Sequence, residues 1–128
     1  MINFKLPPYE WQKSMEIVYE NMNLEKIEII DKNIDFNFTN SYNGDFAGIL
    51  SCINAWKIQV ESSEALEYPA FVCDIRLKKL KGEEIADAFK YMKFGFEIPK
   101  STEYHLMCFD SGELSIALIC EAVEVNNL

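Results

Sequence analysis

The sequence predicts an α+β fold, a curved, mainly antiparallel sheet of about six strands with two helices packed on one face. Three observations carry that expectation. Tyr104 to Val125 holds two apolar runs around Asp110-Ser111-Gly112, a three-residue turn whose glycine supplies a positive φ. Residues 26–39 alternate apolar and polar side chains on either side of a short break, the period of half-buried strands. Two further stretches, residues 9–22 and 83–94, space their apolar residues by three and four, the period of an amphipathic helix.

In chain order, Pro7-Pro8 stiffens the N-terminus and suits the start of a first helix. Trp11, Met15, Val18, Tyr19 and Met22 form its apolar face, with Asn21 and Asn23 as weak helix formers at its end. Ile27 and Ile29, then Ile34, Phe36 and Phe38, give two strands of a tight hairpin turning at Lys32-Asn33. Asp35 and Asn37 occupy the opposite, polar face, so one side of the sheet meets water. Residues 40–45 form a turn with Asn43-Gly44 as its signal. Residues 46–60 read as one strand with a bend near Asn54-Ala55, where the alternation resets; a buried helix over 46–55 is the competing reading.

Residues 61–69 are polar up to Pro69 and read as a loop or a short helical turn. Phe71 to Leu77 is the next strand, with room to extend to Leu80. Glu83 to Phe94 is the second helix, with acids at its positive end and lysines at its negative end and Gly95 as C-cap. In the closing hairpin Leu114, Ile116, Leu118 and Cys120 share one face, and Ala117 and Ile119 lie on the other. A strand apolar on both faces belongs near the middle of a sheet.

With 128 residues, 49% of them hydrophobic, the chain reads as a single domain over 1–128 that can fold on its own core. Cys52, Cys73, Cys108 and Cys120 sit among apolar neighbours at spacings that match no zinc pattern, so they read as buried free thiols. There is no signal-peptide pattern and no run of ~18 apolar residues long enough for a membrane helix. The expected compartment is the cytoplasm.

Charge narrows the partners. The formal net charge is −9, from 21 acids against 12 bases, which opposes the phosphate neutralisation that nucleic-acid binding needs and attraction to anionic lipid. The local exception is residues 76–93, with six bases against three acids. No Gly or aromatic platform accompanies this run, and lysines on a strand also protect it from edge pairing.

No motif for catalysis emerges. His105 is the sole histidine. Cys108, Asp110 and Ser111 lie near it in sequence, but Cys108 is three positions away and points to the other strand face, while Asp110 and Ser111 serve the turn. One His and scattered Cys supply no metal site, the isolated glycines form no phosphate loop, and no cofactor is expected. The remaining candidates are for protein recognition. Tyr42, Asp45, Glu61, Glu64, Glu67 and Tyr68 lie in the two polar loops, where tyrosines can anchor an interface and carboxylates can pair with a basic partner.

In size, acidity and strand-rich character the chain resembles bacterial immunity proteins of contact-dependent and polymorphic toxin systems. That resemblance implies a small cytoplasmic inhibitor that binds a cognate basic toxin, often a nuclease, one to one and without catalysis. Two other readings stay open: a homodimeric structural or regulatory module, and a small enzyme with carboxylate chemistry.

Overall fold

A computed structural model describes residues 15–62, 69–92, 103–110 and 114–127. Their order is β1 (Glu16–Ile30), β2 (Asn33–Asn40), β3 (Phe46–Ser62), β4 (Ala70–Leu80), α1 (Glu83–Tyr91), β5 (Tyr104–Asp110) and β6 (Leu114–Asn127). The strands close into a barrel in the order β1-β2-β3-β6-β5-β4, with β4 returning to β1. Every neighbouring pair is antiparallel.

This corrects the α+β expectation. The sheet does not stay open with two helices on one face; it closes on itself, and α1 is the one helix among the described residues. The expected first helix fails where it can be checked. Residues 16–24 are strand, paired with β4 from Glu16↔Leu77 to Leu24↔Ala70, and residues 9–14 lie outside the described set. The cause is a bulged strand that imitates helical spacing. The register slips between Ile17 and Tyr19, and Asn21 takes a positive φ of 53°. Each irregularity inserts a residue into the two-residue period, so Val18, Tyr19 and Met22 all reach the barrel core at spacings a helix would also give.

Elsewhere local patterning and structure agree. β1 and β2 form the tight hairpin, although its loop is Asp31-Lys32, with Ile30 opposite Asn33. Asp31 adopts φ 56°, the left-handed start of a two-residue hairpin loop. Ile34, Phe36 and Phe38 all point into the core. The bend in β3 lies at Asn54, whose φ is 54°, with a register shift between Ala55 and Lys57; the helical alternative for 46–55 is excluded. β5 and β6 pair from His105↔Cys120 to Asp110↔Ser115, while their turn, 111–113, lies outside the described residues. β6 has β3 on one side and β5 on the other, but in a closed barrel every strand has two neighbours; its two apolar faces are explained by the barrel interior on one side and the cluster under α1 on the other.

The barrel interior is one apolar cluster drawn from all six strands, including Leu24, Phe36, Phe38, Leu50, Ile75, Phe109 and Leu118. Phe36 meets Phe109 edge to face at 5.8 Å. Each such side chain contributes roughly 1.5–3 kcal/mol by leaving water. A second cluster lies outside the barrel, between α1 and the outer face of β4, β5 and β6. It contains Leu80, Ala88, Phe89, Met92, Tyr104, Leu106, Ala117 and Ile119.

Helix α1 starts at Gly82, whose φ of 56° suits glycine. Just before the helix, the Lys81 N–H donates to Glu84 Oε1 at 3.0 Å. Phe89 packs edge to face on Tyr104 at 5.2 Å, and Gln59 Nε2 donates to the Met92 carbonyl at 3.0 Å, fixing the helix end to β3. Met92 closes α1, ahead of the expected stop; Gly95 lies outside the described residues. The barrel therefore has one wall roofed by a helix, and another, formed by β1, β2, the first half of β3 and the end of β6, on which α1 does not pack.

Candidate functional site

Of the loop residues singled out for recognition, Tyr42 and Asp45 share the β2–β3 turn. Asn40 and Asn43 shape that turn: Asn40 Oδ1 accepts from the Tyr42 N–H at 2.8 Å and Asn43 Oδ1 from the Asp45 N–H at 2.9 Å. Tyr42 is 91% exposed. Glu61 is exposed at the far end of β3. Glu64, Glu67 and Tyr68 lie outside the described residues. Asp45 and Glu61 bracket almost the whole of β3, on the order of 50 Å of strand contour at ~3.3 Å per residue. The described members thus do not form one patch.

The described thiols are buried and unactivated, and His105 is half-buried. His105 Nδ1 is buried with no hydrogen-bond partner among the described residues. Burial, then the nearby Lys79 ammonium, push the His105 imidazole below its ordinary range, against an opposing pull from Glu103. Lys79 itself pairs with Glu103 at 2.8 Å. Cys52, Cys108 and Cys120 are free and buried; the side chain of Cys73 is not among those described. Burial pushes the Cys108 thiol up to about 12. A hydrogen bond with Cys120, followed by burial, pushes the Cys52 thiol far up as well. A thiol held protonated is a poor nucleophile. Cys108 faces α1 rather than the barrel interior, away from the face that pairs His105 with Cys120. Among the described residues no three His, Cys, Asp or Glu side chains converge as metal ligands.

The basic run is largely neutralised in place. Arg76 pairs with Asp74 at 3.2 Å and Lys78 with Glu84 at 3.0 Å. The Lys78 partnership holds the Glu84 carboxyl below its ordinary range.

The wall without the helix is different. Strand alternation turns Glu28, Asp35, Ser51 and Glu124 outward, because their neighbours Ile27, Ile34, Phe36, Leu50, Cys52 and Val123 reach the interior. Register then aligns them: Glu28 faces Asp35, Asp35 faces Ser51, and Ser51 faces Glu124. Three acids and one hydroxyl thus form a straight row across four strands. Like charges directly opposite one another destabilise a sheet. Lys26 relieves only the first acid, pairing with Glu28 at 2.9 Å. Among the described residues neither Asp35 nor Glu124 has a cation within ion-pair distance. Lys26 and Glu28 side chains are 62% and 44% exposed, so the row opens to solvent at this end, while Ser51 within it is buried.

Beside this wall, β3 and β6 bend together. The Asn54 side-chain amide donates to the Glu121 carboxylate, and the Asn54 N–H donates to Asn33 Oδ1 at 3.0 Å. Lys32 Nζ stands 5.1 Å from the Trp56 ring centre, a cation–π contact. The Trp56 indole N–H is buried without a partner among the described residues.

The acid row escaped sequence reasoning. Asp35 is visible there as a polar-face residue, and the short hairpin places Glu28 opposite it. Nothing local in the sequence brings Ser51 or Glu124 alongside.

A protein-family model matches residues 17–127. The chain belongs to that family. The family's description reads only "-like" and names no activity. No curated protein matches the chain significantly. Among solved structures, an uncharacterized protein from Neisseria gonorrhoeae is similar, with a TM-score of 0.63 and 18% identity, over 89% of this chain and 98% of that one. At that identity the likeness concerns the fold. No helix among the described residues is long and apolar enough to cross a membrane.

Proposed function

We propose that this family member is a protein-binding domain that engages a basic protein partner, and that its specific role is to neutralise a toxin by stoichiometric binding in the cytoplasm. The observation that carries the reading is the acid row. A sheet wall that sets Glu28 against Asp35 and leaves Asp35 and Glu124 uncompensated accepts a stability cost that a basic partner would relieve. Violations of local folding rules concentrate at functional sites. The net charge of −9 adds long-range steering of a cationic partner. The chain's buried, protonated thiols and poorly basic histidine favour binding over catalysis.

The test is co-expression with the product of the neighbouring gene where that product is a basic protein. Restored growth and a one-to-one complex by size-exclusion chromatography with light scattering support the reading. A basic neighbour that is neither bound nor neutralised removes it.

A further inference from the structure

The strands differ in length, and β3 outruns its neighbour. It has 17 residues against 8 in β2, and the pairing between them stops at Ile34↔Cys52. One further bond crosses, from the Ala55 N–H to the Lys32 carbonyl at 2.7 Å. From Trp56 to Ser62, β3 pairs with β6 on one side and with no strand among the described residues on the other. A bulge between Ala55 and Lys57 marks the start of this edge. Beyond it the edge is long, has no proline and carries exposed apolar surface, so it keeps few of the devices that hold strand edges apart. Val60 is 52% exposed although Ile116, directly opposite on β6, is buried. Ile58 and Val60 lie on the interior face, beside Leu118 and Ile116. Lys57, Gln59 and Glu61 lie on the outer face, beside Ile119, Ala117 and Ser115. Among the described residues neither Lys57 nor Glu61 is in an ion pair.

We infer that a second copy of the chain adds at this edge, with Trp56–Ser62 of the two copies running antiparallel about a two-fold axis through Gln59. The residues along the edge select the occupant. In an antiparallel pair of identical strands, the position of the axis fixes which residues face each other. With the axis at Gln59, Lys57 of each copy faces Glu61 of the other, and Ile58 of each faces Val60 of the other. Symmetry repeats both contacts, giving two ion pairs on the outer face and two apolar pairs on the inner. An axis at Ile58 sets Lys57 against Gln59 and Glu61 against Ala55. An axis at Val60 carries Lys57 past the end of the strand. The Gln59 axis alone joins the charges. Opposite charges and β-branched side chains that face each other stabilise a strand pair, and the edge backbone supplies the hydrogen bonds of an added strand. Each copy has a net charge of −9, so the two repel at a distance, and Lys57 places a base where they touch. The contact is independent of the toxin-binding reading. The acid row crosses the first half of β3, at Ser51, and stays outside it.

The test is sedimentation velocity on the whole chain, from micromolar to near-millimolar concentration. A monomer–dimer equilibrium is expected. Lys57→Glu and Glu61→Lys should each weaken the dimer ~10-fold or more, because two ion pairs become two like-charge pairs. Lys57→Glu combined with Glu61→Lys rebuilds both pairs in the reversed sense and should return the dimer to within ~3-fold of the parent chain. A purely structural role for either residue would give no such rescue. Cross-linking reads the register separately and covers the case in which a charge exchange fails to fold. Under mild oxidation with copper-phenanthroline, Gln59→Cys, at the axis, should join two copies, and Lys57→Cys, which faces Glu61 of the other copy, should not. A chain that stays monomeric throughout overturns the inference, the result expected if the edge takes a strand of a different protein. A dimer indifferent to both single exchanges overturns it, as does one that the double exchange leaves weak. Equal cross-linking of the two cysteine variants overturns it as well.

Discussion

The wall under α1 and the wall bearing the acid row share two strands, β3 and β6, and differ in what lies on them. Under the helix, outward positions are apolar, as with Leu106, Cys108, Ala117 and Ile119. On the open wall the outward positions of the same two strands include Ser51 and Glu124. β6 changes character at the Asn54–Glu121 contact, from Ala117 and Ile119 under the helix to Glu124 on the open wall. One strand can therefore serve as core at one end and as recognition surface at the other. Stability and the proposed binding lie on different stretches of the same backbone.

Substitutions on the two walls should separate along that line. The largest effect is expected under the helix. Phe89→Ala removes a buried ring packed on Tyr104 and should cost ~3–5 kcal/mol in urea unfolding. A loss no larger than that of a surface change would break the contrast between the walls.

The next effect is alkaline. Cys108 has its folded-state thiol raised from 9.0 to about 12. Above pH 9 the unfolded chain releases a proton that the folded chain retains, so stability is full below that pH and lost as the pH climbs toward 12. By pH 10.5 the linkage approaches ~2 kcal/mol. Urea midpoints at pH 7, 9 and 10.5 should fall more steeply for the parent chain than for Cys108→Ala. Parallel curves would show that the thiol titrates normally.

At the bend, Asn54→Ala forces a side chain other than asparagine or glycine into positive φ and removes the bond to Glu121. A loss of ~1–3 kcal/mol is expected. Asn54→Gly, which relieves only the backbone, should recover part of it. Equal losses would mean that the backbone conformation matters little.

The smallest effect has the opposite sign. Asp35→Asn relieves repulsion from Glu28 and should raise stability by ~0.2–1 kcal/mol while weakening a basic partner. A variant that loses both stability and binding would mean that Asp35 holds the fold together and that the open wall is not specialised for recognition.

What the sequence reveals follows the reach of its signals. Hairpins are local, so β1–β2 and β5–β6 can be read from alternation and turn residues, and Asn54 marks its own bend by breaking the pattern. Closure is not local. Nothing near Glu16 indicates that it lies beside Leu77. The bulge at Val18 and the left-handed turn of the backbone at Asn21 go further and produce a false helical period. The surface has the same limit. Tyr42 and Asp45 stand out because they sit in a loop, yet the chain places them a strand's length from Glu61. The acids that align do so through pairings of β2 with β3 and of β3 with β6, and only the β1–β2 pairing is written in neighbouring residues.

The way the barrel shuts has a consequence in time. Its last seam joins β1 to β4, pairing Leu24 with Ala70, and β3 must also find β6 from Gly48↔Asn127 to Ser62↔Leu114. Both pairings close long loops before they gain any contact, and chains dominated by such pairings fold slowly. The early hairpin β1–β2 must wait, with the β4-facing edge of Glu16–Leu24 unpaired, until β4 has been synthesised. A nascent chain halted before Ala70 therefore displays a ready strand edge. During synthesis that edge is the point of greatest exposure to mispairing with another chain.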